Sequence, residues 1–124
     1  MAESKKELAP IRLELIIAIV EKNKALFYTD LLQALGSNLQ FTTGAKGTAD
    51  SRILDMLGLA DHEQSAIFSV VRSDRVEEVM DTLEDRFHKL RNGKGIAIAV
   101  PLSSTIGTLG YGFLTGDERM AKNG

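Results

Sequence analysis

The stretch Leu15-Ile16-Ile17-Ala18-Ile19-Val20 decides how this chain folds. It is the longest apolar run in the sequence, and successive side chains of a β-strand point to opposite faces of a sheet. Odd-numbered and even-numbered residues of this run therefore occupy different faces, and both faces are apolar. We predict a strand over Ile11–Glu21 that is buried on both sides, so that one face meets helices and the other meets a further layer or another subunit.

Helical and extended patterns alternate after this strand. The predicted elements are, in order, the strand Ile11–Glu21, a helix from a cap at Asn23 to a terminator at Gly36, a strand over Ser37–Thr43, a strand within His62–Ser73, a helix that starts at an Asp74–Glu77 capping box, and a strand over Ile96–Val100. The order β-α-β-β-α-β is typical of a ferredoxin-like sandwich of the α+β class. We expect a four-stranded antiparallel sheet with both helices on one face.

Such a sandwich leaves the other face of its sheet uncovered. We expect this bare face to carry small and branched apolar side chains of the first and fourth strands, namely Ile16, Ala18, Val20, Ala97 and Ala99. An apolar sheet face of this size is normally covered by another subunit. The sequence therefore predicts an obligate oligomer that associates through its sheets.

Length and composition exclude several classes of protein. The chain has 124 residues, 44% of them hydrophobic, which suits a single domain over residues 11–124 preceded by a flexible arm at residues 1–10. A net charge of −2 disfavours nucleic-acid binding, and the absence of cysteine excludes disulfides and thiolate metal sites. No apolar run approaches the roughly 20 residues that cross a bilayer, so we expect a cytoplasmic protein without membrane insertion.

Two glycine-lysine segments are the candidates for binding chemistry. Gly44-Ala45-Lys46-Gly47-Thr48 follows the second strand, and Gly93-Lys94-Gly95 precedes the fourth. Small residues allow backbone N–H groups to approach an anion, and each segment carries a lysine. A flexible strand connection and a glycine helix end are the alternative interpretations. We expect the two segments at opposite ends of the sheet within one subunit, so that they meet only across an interface.

The rest of the chain offers no catalytic pair. The two histidines are distant from each other in the sequence and lack a neighbouring nucleophile, which predicts surface positions and a protein that is not an enzyme. An apolar turn forms either a core plug or a partner-docking surface; its side chains are Ile53, Leu54, Met56 and Leu57. The extension over residues 103–124 is expected to be irregular and strand-like, covering a sheet edge or a neighbouring subunit.

Together, the order of elements and the two loops resemble the PII signalling superfamily. The resemblance spans Leu13 to about Ser103, with residues 44–62 in place of the family's T-loop and Gly93-Lys94-Gly95-Ile96 in place of its B-loop. It implies a cytosolic homotrimer that holds ATP, ADP or AMP in clefts between subunits. The residues implied as ligand contacts are Gly44, Lys46, Gly47 and Thr48 from one subunit and Gly93, Lys94 and Gly95 from its neighbour.

The resemblance implies a non-enzymatic regulator. Its small anionic ligand would control a membrane transporter or a metabolic enzyme through the region 44–62, which is shorter here than in the family and lacks tyrosine. Two alternatives remain open on the same fold. One is an interaction adaptor without a ligand, and the other is a small oligomeric enzyme or metal-tolerance protein.

Overall fold

The computed structural model describes residues 11–46, 52, 56, 63–89, 95–104 and 106–116. Its strands are β1 (Leu13–Glu21), β2 (Leu39–Ala45), β3 (Gln64–Arg72) and β4 (Ile96–Pro101). Its α-helices are α1 (Ala25–Ala34), α2 (Val76–Lys89) and α3 (Thr108–Thr115). Short 3-10 turns, Lys22–Lys24 and Ser73–Arg75, lead into α1 and α2.

The four strands form one sheet in the order β2-β3-β1-β4, with every neighbouring pair antiparallel. The central strand β1 pairs Ile17 with Phe68 of β3 on one side and with Ile98 of β4 on the other. Strand β3 in turn pairs Phe68 with Phe41 of β2. This is the strand order of a ferredoxin-like sandwich, so the predicted fold class is confirmed.

Both long helices pack on the same face of the sheet. The buried cluster joins three side chains of β1, two of β3 and two from each of α1 and α2: Ile16, Ala18, Val20, Ile67, Val71, Tyr28, Leu32, Val79 and Leu83. Ala97 and Ala99 of β4 lie at the margin of this cluster. The prediction that Ile16, Ala18, Val20, Ala97 and Ala99 form the bare face is therefore wrong, because they face the helices.

The opposite sheet face is the bare one, and it is also apolar. The strand register places on it, from edge to edge, Phe41, Phe68, Ile17 and Ile98. Phe41 is 64% exposed and Ile98 49% exposed, whereas the more central Ile17 and Phe68 are half-buried. The predicted apolar surface thus exists, and larger side chains than expected make it.

The two helix starts differ from the predicted caps. Asn23 lies inside the 3-10 turn before α1, and Lys24 holds the N-cap position without a side-chain hydrogen bond. Asp74 lies inside the second 3-10 turn, where its carboxylate accepts hydrogen bonds from the Arg72 guanidinium at 2.8 and 3.1 Å. In both cases a tight turn leads into the helix. The predicted end of α1 is confirmed, since Gly36 has a φ of +106° directly after the last turn.

The described part of the C-terminal extension contains a helix. Helix α3 over Thr108–Thr115 replaces the strand-like tail expected from the sequence, because its amides bond along their own helix, as from Tyr111 to the Gly107 carbonyl at 2.9 Å. Two side chains hold it against the sheet: Asn38, the residue before β2, donates to the Phe113 carbonyl at 2.9 Å, and Arg72 of β3 donates to the Thr115 carbonyl at 3.3 Å. The helix therefore lies at the end of the sheet where β1 begins.

Candidate ligand-binding site

The sheet register brings the two candidate loops to the same end of the sheet. Gly44 of β2 is opposite Ser65 of β3, which is opposite Val20 of β1. Because Ile96 is opposite Ile19, Gly95 stands one position beyond the β4 ladder, level with Val20. The expectation that the loops lie at opposite ends is wrong, since β2 ends where β4 begins.

The loops nevertheless belong to opposite edges of that end. Strands β2 and β4 are the two edge strands, separated by three strand spacings, or about 14 Å. A small ligand held at one edge is therefore out of contact with the backbone at the other edge of the same subunit. Two such edges come together only when neighbouring subunits align them side by side.

Gly95 occupies a crowded position against the central strand. A Cβ atom added there would lie 2.5 Å from the Ile19 carbonyl oxygen, 3.2 Å from Val20 Cγ1 and 3.3 Å from Phe87 Cε1. The backbone of Gly95 thus passes between β1 and α2 with no room for a side chain. This fixes the point at which the segment Gly93-Lys94-Gly95 joins the fold.

Gly44 has different surroundings. It is part of β2, which continues to Ala45, and nothing lies within 4 Å of a Cβ atom added to it. Lys46 is the first residue after the strand and is exposed. The other predicted ligand contacts, Gly47, Thr48, Gly93 and Lys94, lie outside the described residues, and their role stays a prediction.

The structure adds a lysine that sequence reasoning missed. Lys22 follows β1 at the same end of the sheet, and its backbone N–H donates to the Glu63 carbonyl at 2.7 Å. Its ammonium group also donates to the Glu63 carboxylate at 3.1 Å. The signal in the sequence is the Lys22-Asn23-Lys24 triplet after the first strand, which lacks the glycine that marks the two candidate loops.

A groove of about 510 Å³ runs between α2 and β4. Its apolar lining consists of Met80, Leu83, Phe87 and Ala97, and Gly95 also lines it. Its rim carries the carboxylates of Asp81 and Glu84, and the side chain of His88 is exposed beside them. Carboxylates repel phosphate, so the groove itself is unsuited to an anionic group.

The predicted docking turn is described at one of its four positions. Met56 lines the groove and is 78% exposed, so it is outside the buried cluster of the core. Ile53, Leu54 and Leu57 lie outside the described residues. Their assignment as plug or docking surface stays a prediction.

Within the described part of the chain, no three histidine, aspartate or glutamate side chains are grouped to hold a metal ion. No described helix is long and apolar enough to span a membrane. On α2, the side chains of Glu77, Glu78, Asp81 and Glu84 are exposed, and Asp85 pairs with Arg86 at 2.7 Å and with Lys89 at 3.1 Å.

Comparison with known proteins identifies the fold. No protein-family model and no curated protein matches the sequence. Among solved structures, CPII from Thiomonas intermedia bound to ADP, AMP and acetate is similar, with a TM-score of 0.61 and 17% identity over 77% of this chain and 91% of that one. The chain thus has the fold of the PII-like proteins, and the resemblance seen in the sequence is confirmed at the level of fold.

Two further structures agree with this result. A putative PII-like signaling protein from Thermus thermophilus has a TM-score of 0.57 at 14% identity, covering 74% of this chain and 87% of that one. Arabidopsis thaliana PII bound to citrate has a TM-score of 0.53 at 19% identity, covering 75% and 79%. The similarity therefore extends from PII-like proteins to a plant PII protein.

Proposed function

We propose that the protein is a non-enzymatic PII-like signalling protein that binds an adenine nucleotide between subunits of a homotrimer. The observation that carries the proposal is the placement of Gly44 and Gly95 at one end of the sheet but on opposite edges. If the β2 edge of one subunit meets the β4 edge of the next, the two loops form one cleft. In the proposed homotrimer, this head-to-tail contact closes into a ring of three subunits whose apolar sheet faces turn inward and cover one another.

The known ligands of similar proteins support the choice of nucleotide. Structures of CPII from Thiomonas intermedia show it bound to ADP, AMP and acetate and to ADP, AMP and bicarbonate. In this chain, the ligand contacts would be Gly44, Lys46, Gly47 and Thr48 from one subunit and Gly93, Lys94 and Gly95 from the next. Lysines and free backbone N–H groups are the partners that phosphate groups require.

The regulated target would be a membrane transporter or a metabolic enzyme in the cytoplasm. Its docking surface would include Ile53, Leu54, Met56 and Leu57, and the exposure of Met56 supports a role in contact with a partner. A nucleotide can control this surface only if it binds one arrangement of residues 44–62 more tightly than another. The same exposed methionine also favours a ligand-free adaptor as the second candidate.

Calorimetric titration with ATP, ADP and AMP tests the proposal on protein whose trimeric state has been established by light scattering. We expect the wild-type trimer to bind at least one of these nucleotides and the K46A/K94A variant to lose that binding while remaining a folded trimer. The K5A/K6A variant removes the same charge from the N-terminal arm and should bind normally. Unchanged affinity in K46A/K94A would refute the proposed site, and a wild-type trimer that binds none of them would favour the adaptor.

A further inference from the structure

Charges alternate in sign across the end of the sheet that carries Gly44 and Gly95. Ala45, Gln64 and Glu21 are level with one another in β2, β3 and β1. One position beyond these strand ends are Lys46, Glu63 and Lys22, respectively. Because β3 lies between β2 and β1, the chain enters the sheet at Glu63 between the points where it leaves β2 at Lys46 and β1 at Lys22.

A backbone hydrogen bond and a side-chain ion pair join Glu63 to Lys22. The backbone bond of 2.7 Å extends the β1–β3 ladder by one position, and a side-chain ion pair of 3.1 Å joins the same two residues. Lys22 is also near Gly95, since it is the second residue after Val20, whose Cγ1 lies 3.2 Å from the Cβ position of Gly95, and two residues span at most about 7 Å of chain. One lysine thus adjoins both the Gly95 loop and the start of β3.

This ion pair is easily exchanged. Its side chains are 68% and 79% exposed, and exposed pairs contribute little to stability because water competes with both partners. A terminal phosphate group carries more negative charge than a carboxylate and offers an ammonium group three strong acceptor oxygens. A phosphate placed at Gly95 would therefore attract Lys22 away from Glu63.

We propose that Glu63 is an internal competitor of the anionic ligand. In the free protein its carboxylate holds Lys22, and a bound phosphate group takes its place. Because the segment that connects β2 to β3 ends at Glu63, the exchange transmits ligand binding to that segment. This inference rests on the proposed nucleotide function and adds Lys22 and Glu63 to the site as a binding residue and a positioning residue.

The test is a double-mutant cycle on ADP affinity at fixed ionic strength. E63Q should bind ADP about twofold to fivefold more tightly than wild type, and K22M should bind it more weakly by a similar factor. In the K22M background, E63Q should have little further effect, because the lysine it releases is gone. Circular dichroism and light scattering on every variant establish that fold and assembly are retained.

Matched controls separate these effects from net charge. D74N removes a carboxylate from the Arg72 ion pair at the opposite end of the sheet, and K89M removes a lysine from its pair with Asp85 on α2. Both should leave ADP affinity unchanged. Failure of wild type to bind ADP would overturn the nucleotide function together with this inference. Binding by wild type with equal affinity in E63Q, or an E63Q effect that persists in K22M, would overturn the inference alone.

Discussion

Gly95 lies directly against the carbonyl oxygen of Ile19, leaving only 2.5 Å for a Cβ atom that it does not have. The contact joins the start of the edge strand β4 to the middle strand of the sheet. Phe87 of α2 closes the third side at 3.3 Å from the same point. Position 95, directly before β4, therefore accepts only glycine.

Substituting this glycine should be costly. We expect Gly95→Ala to destabilise the protein by about 2 kcal/mol, because the obstructing atom is backbone and overpacking of this kind costs roughly 1–3 kcal/mol. Gly44→Ala is the matched control at the other edge, since nothing lies within 4 Å of its added Cβ. Urea unfolding of both variants measures the difference, and equal stabilities would contradict the described packing.

The sequence predicted the order and type of the core elements because its apolar periodicity is strong. The prediction was wrong where one sequence pattern is compatible with two arrangements of the sheet. Both faces of β1 are apolar, so alternation could not tell which face meets the helices; the small Ala18 and Ala97 lie on the helix side, and the larger Ile17 and Ile98 lie outside. The sequence also could not show that Gly44 and Gly95 lie at the same end of the sheet. That depends on strand direction, which only the pairing of the strands establishes.

The bare sheet face predicts how assembly can be broken. We expect Phe41→Asp to dissociate the oligomer at micromolar concentration, because it places a charge in an apolar surface that would be covered by other subunits. Sedimentation velocity would show the smaller species. Leu26→Asp is the control, since Leu26 is 73% exposed on α1, away from that face. An oligomer that survives Phe41→Asp would exclude this part of the face from the interface.

Alanine substitutions at Gly36, which follows α1, and at Gly110, which lies in α3, should change the stability of the protein in opposite directions. Gly36 has a φ of +106°, so Gly36→Ala should destabilise the protein by about 1 kcal/mol, the cost of a side chain in left-handed backbone. Gly110 lies inside α3 with nothing within 4 Å of an added Cβ, so Gly110→Ala should stabilise it by about 0.5–1 kcal/mol. Chemical denaturation gives both signs. Destabilisation by Gly110→Ala would contradict the helical assignment of residues 108–115.

Tyr28 should make stability depend on alkaline pH. Burial raises its pKa above the ordinary value of 10.0; the smaller effect of Arg86 lowers the pKa, and the smaller effect of Glu21 raises it further. The unfolded chain then ionises this phenol before the folded protein does. Its contribution is complete below about pH 10 and declines as pH rises from the unfolded toward the folded pKa.

Comparison of wild type with Tyr28→Phe isolates this contribution, because other groups that titrate at alkaline pH are common to both proteins. The side chain of Tyr28 is fully buried. Phenylalanine has no hydroxyl group at this position and therefore does not ionise. We expect the difference in unfolding free energy between the two proteins to be constant from about pH 7 to 9 and to shift in favour of Tyr28→Phe above about pH 10. A difference that stays constant to about pH 11 would mean that the Tyr28 hydroxyl ionises equally in the folded and unfolded chains, and hence that it is open to water.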